Sequence, residues 1–351
     1  MKKVLVCGTG FGQYYLKAIQ SLANEVELVG ILSRGSKQSA QWADLLSVPL
    51  YTAVDQLDSV EIDIACVVVK SEIVGGSGTS LAEYFLKRGV SVFQEHPVHY
   101  ETYAALVKLA KKNHCYYYMN TFYPFLQSVN VFLKTIAQLK AEAKINYIRA
   151  ECGIQVLFPM IDILGRTAGN MSSFQIEKDG IDTNQRPFAV VRGTIGGIPF
   201  MLLIKNEMDV QNVESNIALL HQMNVNTSCG NCTLTDVHGQ VIWTPVIHES
   251  LKSGEENQTF SHIPVQQSLI DNREFTMENI FDTLWPGSIR RSLTEFIKKI
   301  DSRDNMAATH QHYLCVCKAW NEIGTLLGAY HPVTYEITGP KALQLDGEVE
   351  I

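Results

Sequence analysis

Lys3–Leu22, KVLVCGTGFGQYYLKAIQSL, decides how the rest of the chain is read. Lys3–Val6 is a short apolar strand that runs into Gly8-Thr9-Gly10-Phe11-Gly12, and Tyr15, Leu16, Ile19 and Leu22 then recur at helical spacing. Strand, glycine turn and helix follow one another without a gap. Glycines let such a turn close tightly and let backbone N–H groups approach a pyrophosphate at a helix N-terminus, where the dipole favours negative charge. The spacing departs from G-x-G-x-x-G, because the third glycine arrives one place early at Gly12 and Gln13 holds its usual position. The stretch assigns Gly8, Thr9, Gly10, Phe11 and Gly12 to the seat of a dinucleotide; an incidental turn is the alternative.

The second strand, Glu27–Leu32, ends in Ser33-Arg34-Gly35-Ser36-Lys37. An acidic residue taking the ribose hydroxyls of NAD is expected about here, and none is present. Ser33 and Arg34, with Ser36 or Lys37 beside them, offer hydroxyl and guanidinium donors suited to a 2′-phosphate. NADP(H) is therefore preferred to NAD(H). A solvated polar loop would leave that choice open.

Beyond it, strands and helices alternate. An amphipathic helix over Ser39–Leu46 and a short strand at Pro49–Tyr51 lead to Ile62–Val69, IDIACVVV, apolar enough for a central parallel strand covered on both faces. A loop at Ser71–Thr79, a helix at Leu81–Arg88 and a strand at Val90–Glu95 follow. This pattern is a doubly wound parallel sheet. Val92–His99, VFQEHPVH, ends its strand at Pro97, which cannot donate to a ladder. Ligands bind beyond the carboxyl ends of such strands, so His96 is the leading catalytic candidate, with a backbone-bonded strand cap as the alternative. His99 ranks below it. Another helix, Glu101–Asn113, and a strand, Cys115–Met119, close in Asn120-Thr121-Phe122-Tyr123-Pro124. Tyr123 thereby comes to the same edge, either as a second proton carrier or as an aromatic packed where two domains meet.

The whole composition fits this reading. A chain of 351 residues, 46% apolar and 19% charged, is a globular protein long enough for two domains. No apolar run reaches the ~18 residues of a spanning helix, and MKKVLVCGTG reaches glycine before a signal-peptide core forms. A cytoplasmic protein, with no membrane partner and its eight cysteines reduced, is expected. The net charge of −7 argues against a nucleic-acid partner.

The remainder, 121–351, reads as an α+β substrate domain behind a dinucleotide-binding domain over 1–120. Leu126–Ala143 is a long helix. Asn146–Gln155, Arg186–Thr194, Ile198–Glu207, Asn216–His221 and Thr227–Asp236 carry strand-like alternation, and Val241–Trp243 follows the His238-Gly239 turn. An open, mainly antiparallel sheet results. Ser288–Ile300 and Ala307–Leu327 are its last helices. Cys229-Gly230-Asn231-Cys232 has zinc-like spacing but lacks a suitably spaced second pair, so no metal is assigned. His310-x-His312 reads as ordinary helix surface. Arg290-Arg291 with Lys298-Lys299 reads as a solvated face on which an acidic carrier domain could dock.

The glycine turn and the strand-end EHP resemble the Gfo/Idh/MocA oxidoreductases. EHPVH, NTFYP and the Ser33-Arg34 pair more closely resemble the thiazolinyl imine reductases of siderophore assembly lines, as in yersiniabactin and pyochelin biosynthesis. The resemblance is specific over 1–125 and diffuse beyond. It implies His96 and Tyr123 as proton donors, Glu95 and His96 beside the cofactor, a cis His96–Pro97 bond and a homodimer. The implied substrate is a thiazoline thioester on the peptidyl carrier domain of a nonribosomal synthetase, reduced by NADPH to a thiazolidine. Two departures from the wider family bear on the chemistry. His96 stands where sugar and polyol dehydrogenases carry Lys, and Pro159 stands where they carry a His ahead of Asp162. Without that His the removal of a hydroxyl proton is disfavoured, whereas C=N reduction needs only a hydride on carbon and a proton on nitrogen. A sugar or polyol dehydrogenase and a non-catalytic NADP-binding sensor remain the alternatives.

Overall fold

The computed structural model describes residues 1–184, 187–211, 217, 219–247, 262–270 and 275–335. Its first layer is a six-stranded parallel sheet: β1 (Lys2–Cys7), β2 (Val26–Leu32), β3 (Leu50–Tyr51), β4 (Ile64–Val67), β5 (Ser91–Glu95) and β6 (Tyr117–Asn120), in the spatial order β3-β2-β1-β4-β5-β6. Four helices connect these strands: α1 (Gly12–Gln20), α2 (Lys37–Leu46), α3 (Gly78–Lys87) and α4 (Tyr100–Lys112). The order reverses between β1 and β4. That is the switch point at which doubly wound sheets bind their ligands, and the glycine turn lies on it.

The local physics follows the sequence. Val4–Cys7 and Ile64–Val67 are fully buried, as central strands covered on both faces must be. Helix α1 buries Tyr15, Leu16, Ala18 and Ile19 on one stripe. Ser36 caps α2 by accepting the Ser39 N–H at 3.2 Å, which commits its hydroxyl away from any cofactor.

The second layer is an eight-stranded, mainly antiparallel sheet. It contains β7 (Ile145–Gly153), β8 (Gln175–Asp182), β9 (Phe188–Ile195), β10 (Ile198–Lys205), β12 (His221–Thr227), β13 (Gly230–Leu234), β14 (Val241–Pro245) and β15 (Gln267–Ser268). β7 and β10 pair in parallel and every other pair is antiparallel. A small strand, β11 (Glu207–Asp209), pairs outside it with His331–Val333. One face packs on α5 (Gln127–Glu142) and α6 (Leu157–Ala168).

Two strand boundaries differ from the sequence reading, and two elements lie where it assigned none. The strand expected at Asn216–His221 falls partly outside the described residues, and the observed strand begins where it was expected to end, at His221. Thr227 closes that strand instead of opening the next, because its hydroxyl donates to Gly230 O at 2.9 Å and accepts Cys229 N–H at 3.3 Å, pinning a hairpin turn. The FPMIDILGR stretch lies in α6, and Gln175–Asp182 is an edge strand.

The chain's last described helices return to the first layer. In Trp285–Asp301, Phe296 lies between Phe93 and Tyr118, with ring centroids 5.6 and 5.4 Å away. In Ala307–Leu327, Tyr313 lies 6.2 Å from Tyr103 of α4. Both helices therefore cover the nucleotide sheet, although their residues belong by sequence to the second domain. Among the described residues no helix is long and apolar enough to cross a membrane.

Candidate active site

The site begins at the turn between β1 and α1. Gly8 has φ +91°, and a Cβ there would lie 2.9 Å from the Val68 carbonyl oxygen, so both conformation and space require glycine. Gly10 is exposed, and a Cβ on it would meet nothing within 4 Å. Gln13, in the place of the expected third glycine, folds back and donates to the Gly10 carbonyl at 3.0 Å. No side chain caps α1, and its first turn has no acidic residue. Its first amides have no side-chain partner, and the exposed Gly10 lies just before them. A diphosphate fits that cradle. Thr9 is buried beneath it, while the Phe11 ring packs 5.6 Å from both Phe122 and Trp285. The structure brings Gly8, Gly10 and Gly12 together in one turn, and Phe11 ties that turn to Phe122 and Trp285.

At the end of β2, Ser33 is half-buried and its Oγ accepts the Gly35 N–H at 3.2 Å. Arg34 is exposed and makes no ion pair with a described residue.

At the end of β5 the His96–Pro97 peptide is cis. His96 Nδ1 lies 3.1 Å from the Asn120 carbonyl oxygen and 2.8 Å from Glu95 Oε1. Both neighbours are acceptors, so Nδ1 carries the hydrogen and Nε2 remains for the site. The other carboxylate oxygen, Glu95 Oε2, accepts the Tyr15 hydroxyl. Each oxygen of Glu95 thus has an internal partner, Tyr15 on one side and His96 on the other. His99 is not at the edge: it caps α4, its Nδ1 accepting the Glu101 N–H at 3.4 Å.

Tyr123 lies beside His96, ring centroids 6.3 Å apart. Phe122 before it adopts φ +38°, in a tight turn closed by the Tyr123 N–H on Thr121 O, and the Phe122 ring stacks on Tyr123 at 4.4 Å. Burial, and then the Glu95 carboxylate, push the Tyr123 phenol up, so it keeps its proton. Phe158 of α6 stacks on the His96 ring at 5.5 Å, and Trp320 meets Phe158 edge-on. The wall facing His96 is aromatic.

Two histidines here escape sequence reasoning. His221 opens β12, fully buried, with its ring 4.8 Å from Tyr123 and edge-on to it. Its Nε2–H donates to Val156 O at 2.8 Å, Nδ1 has no partner, and burial pushes its pKa down to about 4. His238 accepts the Trp285 indole N–H at 3.0 Å and turns Nδ1 toward Asp236 at 3.4 Å. Their ring partners are distant in the chain: Tyr123 lies about a hundred residues before His221, and Trp285 lies 47 residues after His238.

A second polar centre lies deeper along α6. Asp162 is fully buried and receives Arg166 Nε at 2.7 Å, His312 Nε2 at 2.6 Å and the Thr121 hydroxyl at 2.5 Å. Burial alone would raise its carboxyl, but Arg166 and His312 hold it well below the usual carboxylate range. His310 bonds the Tyr103 hydroxyl at 3.0 Å. His310-x-His312 is therefore not ordinary helix surface: each ring spans two elements. The basic cluster is likewise reduced, since Arg291 donates to the Phe125 carbonyl and Lys299 pairs with Asp304 at 3.1 Å. Among the described residues no three His, Cys, Asp or Glu side chains converge as a metal site, and Cys232 is core.

The profile described as "Oxidoreductase family, NAD-binding Rossmann fold", Gfo/Idh/MocA, matches residues 2–121, and that described as "Thiazolinyl imine reductase Irp3-like, C-terminal" matches residues 143–244. No curated protein matches the sequence. Among solved structures, a Gfo/Idh/MocA family oxidoreductase from Vibrio cholerae is similar at TM-score 0.68 and 13% identity over 93% of this chain and 98% of its own. A UDP-N-acetylglucosamine 3-dehydrogenase from Acidithiobacillus ferrooxidans follows at TM-score 0.63 and 13% identity, over 91% and 95%. A 3-ketoreductase from Actinomadura kijaniata, solved with NADP, gives TM-score 0.68 and 13% identity over 95% and 99%. At such identity these structures establish the fold alone. The match over residues 2–121 gives an NAD(P)-dependent oxidoreductase with a Rossmann domain, which an open-sheet second domain follows. Its first domain is similar to that of the Gfo/Idh/MocA oxidoreductases.

Proposed function

We propose that the protein reduces a thiazoline C=N bond with NADPH, the substrate being held as a thioester on a peptidyl carrier domain. The observation that carries this reading is His96 itself, with Nδ1 committed to Glu95 and Asn120, Nε2 spare, and Tyr123 at its side. The match of residues 143–244 to the imine reductase profile supports it. Gly8, Gly10 and Gly12 would hold NADPH, which would supply a hydride for the imine carbon. His96 acts as the imidazolium, protonated on both nitrogens: Nε2 gives its proton to the imine nitrogen, the ring is left as the Nδ1–H tautomer, and Glu95 faces the ring while it is charged. Tyr123, fully protonated, replaces or relays that proton. Phe158 and Phe122 exclude water. Pro159, buried in the first turn of α6, offers no base for a hydroxyl, which disfavours alcohol oxidation.

The test is NADPH consumption with a small thiazoline thioester, beside NADH and a panel of sugars. Turnover with the thiazoline and NADPH supports the proposal. Sugar oxidation with silence on the thiazoline overturns it, and cofactor binding with no turnover on either returns the NADP sensor. Replacing Arg34→Ala is expected to weaken NADPH roughly tenfold or more while leaving NADH within about twofold, read by calorimetry. The cytoplasm as compartment and a homodimer through the open face of the eight-stranded sheet belong to the same proposal; sedimentation equilibrium reads the dimer. Arg290 and Lys298 are what remains of the basic face for an acidic carrier domain.

A further inference from the structure

Behind His96 stands a chain of buried polar groups that the reaction does not touch. The Ser292 hydroxyl, from the returning helix Trp285–Asp301, donates to Asn120 Oδ1 at 2.8 Å. Asn120 Nδ2 donates to the Tyr15 hydroxyl oxygen at 2.7 Å, and that hydroxyl donates to Glu95 Oε2. Glu95 Oε1 then takes the hydrogen on His96 Nδ1 at 2.8 Å. Ser292, Asn120 and Tyr15 are fully buried, and every hydrogen in the chain has a defined direction. The directions follow from the ends: an amide can only donate through nitrogen, and a carboxylate can only accept. Burial, and then Glu95, push the Tyr15 phenol far up, so it stays a donor.

We infer that Tyr15 is a positioning residue for the reduction, acting on His96 through Glu95. A carboxylate with one oxygen held by a rigid buried phenol cannot rotate. Its second oxygen is fixed against Nδ1, and the imidazole is locked in the tautomer that leaves Nε2 for the substrate. The origin of Tyr15 adds a consequence. It projects from α1, the helix whose N-terminus would hold the cofactor's diphosphate, so the element that would bind the cofactor is also the element that orients the proton donor. The inference rests on the proposed C=N reduction for its kinetic arm only.

The experiment compares Tyr15→Phe, Glu95→Gln and the double variant, with Tyr117→Phe as control. Tyr117 is equally buried in the same sheet, and its hydroxyl donates to Gln94, not to Glu95. Imidazole nitrogen NMR of histidine-labelled protein, with the His96 signals assigned from His96→Gln, is expected to show one Nδ1–H tautomer in the wild type. Tyr15→Phe is expected to mix the tautomers, and Tyr117→Phe to leave them alone. In single turnover with NADPH and the thiazoline thioester, Tyr15→Phe is expected to slow hydride transfer roughly tenfold with NADPH affinity within about twofold. The same replacement should add nothing in the Glu95→Gln background. Unchanged His96 signals, multiplying effects, or an equal loss in Tyr117→Phe overturn the inference. If the wild type turns over no thiazoline, the functional proposal fails, and the NMR arm still decides the role of Tyr15.

Discussion

The molecule holds two carboxylate–histidine pairs built to opposite ends. Glu95 and His96 meet through Nδ1 at 2.8 Å at the end of β5, and both side chains keep about a seventh of their surface exposed (14% and 13%). Asp162 and His312 meet through Nε2 at 2.6 Å, with the carboxylate fully enclosed and further held by Arg166 and Thr121. Residue types alone do not distinguish a catalyst from a brace. What distinguishes them is which ring nitrogen is spent and what the other one faces.

The sharpest way to break this comparison is at the brace. Asp162→Ala leaves Arg166 facing an empty site across α6, and breaking such a pair is expected to cost about 3–5 kcal/mol in urea unfolding. A loss below about 1 kcal/mol would show that the centre is not structural. At the other pair, His96→Gln keeps the fold and is expected to lower single-turnover reduction of the thiazoline about a hundredfold, with Tyr123→Phe costing less. Near wild-type turnover in both variants would remove the assignment. Acid separates the two centres next. His221 and His310 are held down near pH 4 against an ordinary 6.5, so the unfolded chain takes up protons first, and stability is lost as pH falls from 6.5 towards 4. Asp162, depressed from 3.8, holds its stabilisation above that value and loses it only in stronger acid. Urea midpoints against pH should show both windows, with His310→Gln reducing the first and Asp162→Asn the second. The smallest effect belongs to the wall: Phe158→Leu removes the ring on His96 and is expected to slow reduction a few-fold, about 1 kcal/mol of ring contact.

The same contrast explains what could be read from the chain. The glycine turn, the apolar central strands, EHP and the Tyr at the end of the next strand are local patterns, and the structure brings their residues to one edge. Helix α6 was hidden because Leu157–Gly165 is buried throughout, which leaves no polar face for the helical period to show. β8 was hidden for the opposite reason: QIEKDGID is a mostly exposed edge strand, broken by Asp179 at φ +59°. His221 and His312 acquire their ring partners only through tertiary packing, and His238 meets Trp285 in the same way. His312 in particular sits on a helix face that looks ordinary until Asp162 arrives from 150 residues away.

The return of Trp285–Asp301 to the nucleotide sheet bears on how the protein is born. Phe93 and Tyr118 wait for Phe296, and Asn120 waits for Ser292, so on the ribosome the first layer emerges long before the residues that finish its core. At about 5–20 residues per second, that interval lasts on the order of ten seconds or more. Throughout it a strip of aromatic surface stays bare, and a nascent chain stalled before the returning helix would offer that strip to chaperones.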